Sequence, residues 1–142
     1  MHAKRRNSSE LTPRQFSEAV QRPTSRSPTY LIINADDFGL TPAVSRGILD
    51  GHSAGVITST SVMVTTPGWE DARARLRDSS IDIGLHLNLG LGRPLTPART
   101  LVNTKTGEFA SIGGLSMWAL GRRIDPDDVA AECRAQLDLL RS

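Results

Sequence analysis

The order of apolar and polar segments predicts an α/β fold built on a parallel sheet. Three observations carry that prediction. Short β-prone runs alternate with amphipathic stripes of helical period, cap and breaker residues punctuate them, and polar clusters fall where strands should end.

Tyr30-Leu31-Ile32-Ile33 is an unbroken apolar run, as expected of a strand buried on both faces. It opens the folded region, residues 29–142, and runs into Asn34-Ala35-Asp36-Asp37-Phe38-Gly39. Thr41-Pro42 reads as an N-cap followed by proline at the first helical position. Val44, Ile48 and Leu49 form the apolar stripe of that helix, and Gly55 is a suitable terminator. Val56 to Val64 is a second β-prone stretch. Pro67 opens another helix with Trp69, Ala72 and Leu76 on one face. Ile81 to Leu89 alternates strongly and predicts a third strand. Strand, helix, strand, helix, strand in succession implies crossover connections and a parallel sheet, either doubly wound or part of a barrel. After Leu91 a glycine- and proline-rich stretch reads as a long loop in which Phe109 and Trp118 anchor a lid. Asp125-Pro126 then caps a last helix carrying Val129, Cys133, Leu137 and Leu140.

Charge divides the chain. Residues 1–28 hold six basic against two acidic side chains, a local balance of +4, so the remainder sums to −2 within a total of +2. This Ser-rich start lacks the apolar core of a secretory signal and reads as a disordered extension. A nucleic-acid arm on an unrelated α/β domain is the competing reading, and no interleaved aromatic residues support it. No apolar run approaches the roughly 18 residues that span a bilayer. Cys133 is the only cysteine, which excludes an intrachain disulfide and a thiolate cluster, and suits a buried position in a reducing, cytoplasmic setting.

Ligands in parallel α/β proteins gather at the carboxyl ends of strands. Asp36-Asp37 follows the first strand, and His86 lies near the end of the third, with Asn88 two residues on and on the same face. Adjacent carboxylates repel unless a cation or donors compensate. Consecutive strand residues face opposite ways, so one carboxylate can bind a metal while the other accepts a proton. An imidazole and a carboxylate converging from two strands supply two thirds of a facial site for a divalent metal. On spacing alone, Asp-Asp near a glycine is also ordinary turn chemistry, and a lone His on a strand is also an ordinary core or edge residue. Thr58-Ser59-Thr60-Ser61 offers hydroxyls to a site, although β-propensity explains the threonines equally well. His52 reads as an exposed helix residue, and His2 belongs to the extension.

Leu31 to Gly39 closely resembles the opening motif of the YdjC-like carbohydrate deacetylases. Thr58-Ser59-Thr60-Ser61-Val62-Met63 resembles their second-strand motif, and Gly84 to Leu89 followed by Gly92-Arg93-Pro94-Leu95 resembles the third. Glu132-Cys133-Arg134-Ala135-Gln136 is similar to the Glu and Gln helix that follows. The resemblance implies the N-terminal half of an irregular (β/α) TIM-like barrel, truncated here, with a divalent metal (magnesium first, zinc as the alternative) held by one Asp and two His. Asp37 matches the ligating Asp, His86 the first ligating His, and Asp36 the general base. Asn88 is carried as a substrate contact. The implied reaction is hydrolysis of the N-acetyl group of an amino sugar or oligosaccharide, with a homodimer as the assembly to test and no nucleic-acid partner. No His follows His86, so the third metal His is absent from this chain. That absence favours the alternative of a non-catalytic remnant that binds a sugar or a partner.

Deleting residues 1–28 is expected to leave activity intact, measured as turnover of the shortened chain. A large loss would show that the basic start is more than a solvated tail.

Overall fold

The computed structural model describes residues 29–142, and the basic extension at 1–28 lies outside the described residues. The element order is β1 (Asn34–Phe38), α1 (Pro42–Ser53), β2 (Ser59–Val62), α2 (Trp69–Leu76), β3 (Asp82–Leu85), α3 (Ile112–Leu120) and α4 (Pro126–Arg141). The three strands form one parallel sheet in the order β1-β2-β3. The α/β class and the parallel sheet therefore agree with the sequence. All these elements belong to one compact unit, Ile32–Ser142. No described helix is long and apolar enough to cross a membrane.

Strand β1 starts four residues later than the apolar run suggests, for a reason that lies in its neighbour. The Val56 and Ile57 amides both donate to the Gly51 carbonyl, closing the end of α1, and so cannot lengthen the ladder. Pairing begins only where the Thr58 and Ser59 amides reach the Ile33 carbonyl. Tyr30, Leu31 and Ile32 stay at least 75% exposed, which corrects the expectation of a strand buried on both faces. Strands β2 and β3 are likewise shorter than their β-prone stretches, and His86 falls one residue beyond β3. Its amide still donates to the Val62 carbonyl at 2.9 Å.

Helix α1 is capped as the sequence requires. The Thr41 hydroxyl accepts from the Val44 amide, and Gly55 follows the C-cap at φ +76°. Its Ile48 joins Phe38, Val62, Val64, Trp69, Ala72 and Ile81 in the main core. His52 is half-buried rather than exposed, with Nδ1 against the Ile57 carbonyl at 2.8 Å and Nε2 near Ser80 Oγ.

The stretch after Leu91 holds a helix that the sequence hides. In α3, Gly113 and Gly114 carry low helical propensity, and apolar residues surround the axis without forming a stripe. The Ser111 hydroxyl starts it by accepting from the Gly114 amide. Phe109 is buried with Ala98 and Leu101 in a second core, whereas Trp118 is only partly covered, with the Arg123 guanidinium 5.8 Å from its ring centre. Helix α4 begins at the expected Asp125 cap, but its fully buried side chains are Glu132 and Gln136. Cys133 is only half-buried. Asp128, at the start of α4, accepts from both the amide and the hydroxyl of Thr100, and these bonds hold its carboxyl below the usual carboxylate range.

Gly39 turns the chain from β1 toward α1 at φ +93°, and a Cβ there would stand 2.6 Å from the Met63 carbonyl oxygen. Gly39→Ala is expected to destabilise the fold by about 2 kcal/mol or more, from the left-handed backbone and the clash together. An unchanged urea midpoint would show that the turn accepts a side chain.

Candidate functional site

Every hydroxyl in Thr58-Ser59-Thr60-Ser61 bonds to β1 or to Ile33, the residue before it. Thr58 Oγ1 donates to the Ile33 carbonyl and accepts from the Ile33 amide. Ser59 Oγ donates to Asn34 Oδ1 at 2.8 Å, and Thr60 Oγ1 donates to the Ala35 carbonyl at 2.7 Å. Ser61 Oγ donates to Asp36 Oδ1 at 2.6 Å, and Asn34 Nδ2 donates to the same oxygen at 2.8 Å. The run therefore joins the two strands and orients one carboxylate. Asn34 escaped the sequence reading, although its spacing of two from Asp36 places both on one strand face.

The ladder between β1 and β2 is broken where the carboxylates lie. Between the pairs Ala35↔Thr60 and Phe38↔Val62, β1 advances three residues while β2 advances two. The extra residue makes a β-bulge. Asp37 adopts φ +68°, a left-handed backbone that Asp tolerates better than most residues. Regular alternation would send Asp36 and Asp37 to opposite faces, as the sequence suggested. The bulge removes that alternation. Asp37 Oδ1 lies 3.2 Å from His86 Nδ1, and Ser61, which holds Asp36, has its Oγ 3.4 Å from the same nitrogen. The structure thus brings Asp36, Asp37 and His86 together.

The polarity around His86 Nδ1 is unusual. The Asp37 amide points at it from 3.3 Å, which requires a lone pair on Nδ1. That lone pair would then face the Asp37 carboxylate, and the Ser61 hydroxyl hydrogen is already given to Asp36. A cation between the two groups would relieve the conflict, with the Nδ1 lone pair turned from the Asp37 amide to the ion. Two ligands about 2.1 Å from a divalent ion and at right angles stand about 3 Å apart, close to the separation of Asp37 and His86. The pair fits two positions of such an ion. Among the described residues, no group of three or more His, Cys, Asp or Glu side chains has the spacing of a complete site.

Asn88 has a different task from the substrate contact expected of it. Its Nδ2 donates to Thr65 Oγ1 and the Leu91 carbonyl, both at 2.7 Å, and its Oδ1 accepts from the Gly90 and Leu91 amides. The side chain is 6% exposed and its hydrogen-bonding capacity is filled by the protein. Its main chain is held by Gln136, whose Oε1 accepts from the Asn88 amide and whose Nε2 donates to the Asn88 carbonyl. A cavity of about 470 Å³ lies beside His86, walled by Leu87, Leu91, Met63, Ile112 and Leu115. A cavity of similar size, about 480 Å³, lies among Arg99, Asn103, Trp118 and Arg123 and contains none of the candidate residues.

Comparison with known proteins places this geometry in context. The profile of the YdjC-like protein family matches residues 30–142. A Listeria innocua protein named carbohydrate deacetylase 2 is 57% identical over 74 residues, covering 51% of this chain and 30% of that protein. A Proteus mirabilis chitooligosaccharide deacetylase is 34% identical over 109 residues, covering 75% and 41% respectively. A crystal structure from Enterococcus faecalis V583, provisionally described as a cellobiose-phosphate cleavage protein, superposes with a TM-score of 0.67 at 36% identity. That match covers 80% of this chain and 44% of the other. The chain spans less than half the length of each of these proteins. With the profile matched from residue 30 to residue 142, the chain belongs to the YdjC-like family.

Proposed function

We propose that this chain carries part of the active site of a metal-dependent carbohydrate deacetylase, which hydrolyses the N-acetyl group of an amino sugar or oligosaccharide. The observation that carries the proposal is the 3.2 Å approach of Asp37 Oδ1 to His86 Nδ1 with Asp36 alongside. The deacetylase names of the relatives supply the substrate class. The parallel sheet, with the bulged carboxylates at the end of its first strand, is read as a segment of a (β/α) barrel.

Asp37 and His86 would hold the ion, and their oxygen and nitrogen donors suit magnesium or zinc. A bound divalent ion supplies a polarised amide carbonyl and a more acidic water. The protein's own part falls to Asp36. Ser61 and Asn34 both donate to Oδ1, so Oδ2 is the oxygen left to accept a proton from water. Asp36 is exposed, as an acceptor that meets substrate water must be. The apolar wall beside His86 gives a sugar ring a face to rest on.

Two measurements test this. In a version extended to the full length of its relatives, Asp37→Ala and His86→Ala are each expected to abolish divalent-metal binding and acetate release together, and unchanged metal content would remove both from the ligand set. Asp36→Asn is expected to retain metal while turnover falls about 10²-fold or more. Equal loss of metal in Asp36→Asn would make Asp36 a ligand rather than a base. Metal binding with no acetate release from any N-acetylated amino sugar would favour a binding protein.

A further inference from the structure

We propose that Gln136 is a positioning residue for His86, acting through the main chain of Asn88 and aligned in turn by Glu132. Its effect on metal affinity rests on the proposed metal site, whereas the positioning itself does not.

Among the described residues the His86 ring makes only long polar contacts, 3.2–3.4 Å from the Asp37 carboxylate and amide and the Ser61 hydroxyl, so its place depends on the backbone that carries it. That backbone has an anchor on either side. Upstream, the His86 amide is bound to the Val62 carbonyl. Downstream, the ladder with β2 has ended, and Gln136 takes its place. Its Oε1 accepts from the Asn88 amide at 3.0 Å, and its Nε2 donates to the Asn88 carbonyl at 2.7 Å. One side-chain amide thus satisfies both polar groups of a single residue, as a neighbouring strand would.

Glu132 decides which way round that amide sits. The second hydrogen of Gln136 Nε2 goes to Glu132 Oε1 at 2.8 Å. The Leu95 and Thr96 amides and the Thr96 hydroxyl also donate to this carboxylate, at 3.1, 3.0 and 2.7 Å. A carboxylate with four donors around it can only accept. A flipped Gln136 would turn its oxygen toward Glu132 and its NH₂ toward the Asn88 amide, so only the observed orientation is satisfied. Both side chains are 0% exposed. Apolar residues of similar size would fill this space without the desolvation cost, but they could not fix the main chain two residues from His86.

The test uses the 142-residue chain with Zn²⁺ as probe. Gln136→Leu keeps the volume and loses the pairing, and Thr96→Val removes one donor to Glu132 as a milder variant. Gln136→Leu is expected to retain native far-UV circular dichroism, to shift the His86 imidazole ¹⁵N signals and to weaken Zn²⁺ binding 10–100-fold. Thr96→Val is expected to act in the same direction by less. His86 ring signals identical to the parent in a folded Gln136→Leu chain would overturn the proposal. If that variant does not fold, parent-like signals in Thr96→Val overturn it instead. A parent chain that binds no Zn²⁺ would defeat the metal reading alone, and the ring signals would still decide the role of Gln136.

Discussion

The break in register between β1 and β2 is the constraint on which the site depends. One extra residue in β1 converts an alternating Asp-Asp pair, which could serve only one face at a time, into two carboxylates near the same histidine. The hydroxyls of β2 make that irregularity tenable. Thr60 reaches the Ala35 carbonyl where regular pairing stops, and Ser61 takes up the Asp36 carboxylate. Replacing this run with valines would preserve β-propensity and remove the groups that bind the bulge.

Strain at Asp37 must be offset by its surroundings. A non-glycine residue in the left-handed region costs on the order of 1–3 kcal/mol. Phe38, the next residue, is completely buried beside Val62 in the main core, and burying a side chain of that size contributes about 1.5–3 kcal/mol. The turn beyond is tied down as well, since the Gly39 amide donates to Ser45 Oγ and Thr66 Oγ1 donates to the Gly39 carbonyl. The distorted segment is thus clamped at its exit by core packing and by two buried hydroxyls. His86 reaches it from β3 because the parallel register pairs Val62 with Leu85, one residue before the histidine.

Much of this was legible in the sequence, and what was not has a physical cause in each case. The Thr41-Pro42 and Asp125-Pro126 caps, the helix stripe of α1 and the parallel sheet follow from local chemistry, and Asp36, Asp37 and His86 do converge, although the two carboxylates lie within β1 and not after it. The start of β1 was not legible, because it depends on how α1 ends at Gly51 and not on the apolar run itself. The bulge was not legible either, since the period-two pattern assumes a regular ladder. Helix α3 lacks an apolar stripe and contains two adjacent glycines, so its residues resemble a loop. In α4 the apolar pattern misleads, for the buried face is led by the polar pair Glu132 and Gln136, four residues apart on one side of the helix. Asn88 shares the strand parity of His86, but the chain leaves the strand after Leu85 and the asparagine turns inward.

The central claim is that Asp37 and His86 form one edge of a metal coordination sphere. Its most direct measurement is an anomalous-difference map from crystals of this chain grown with Mn²⁺ or Zn²⁺. The account predicts a peak about 2.1 Å from both Asp37 Oδ1 and His86 Nδ1. A His86 Nδ1–Asp37 hydrogen bond that persists at saturating metal, with the anomalous peak elsewhere, would contradict it.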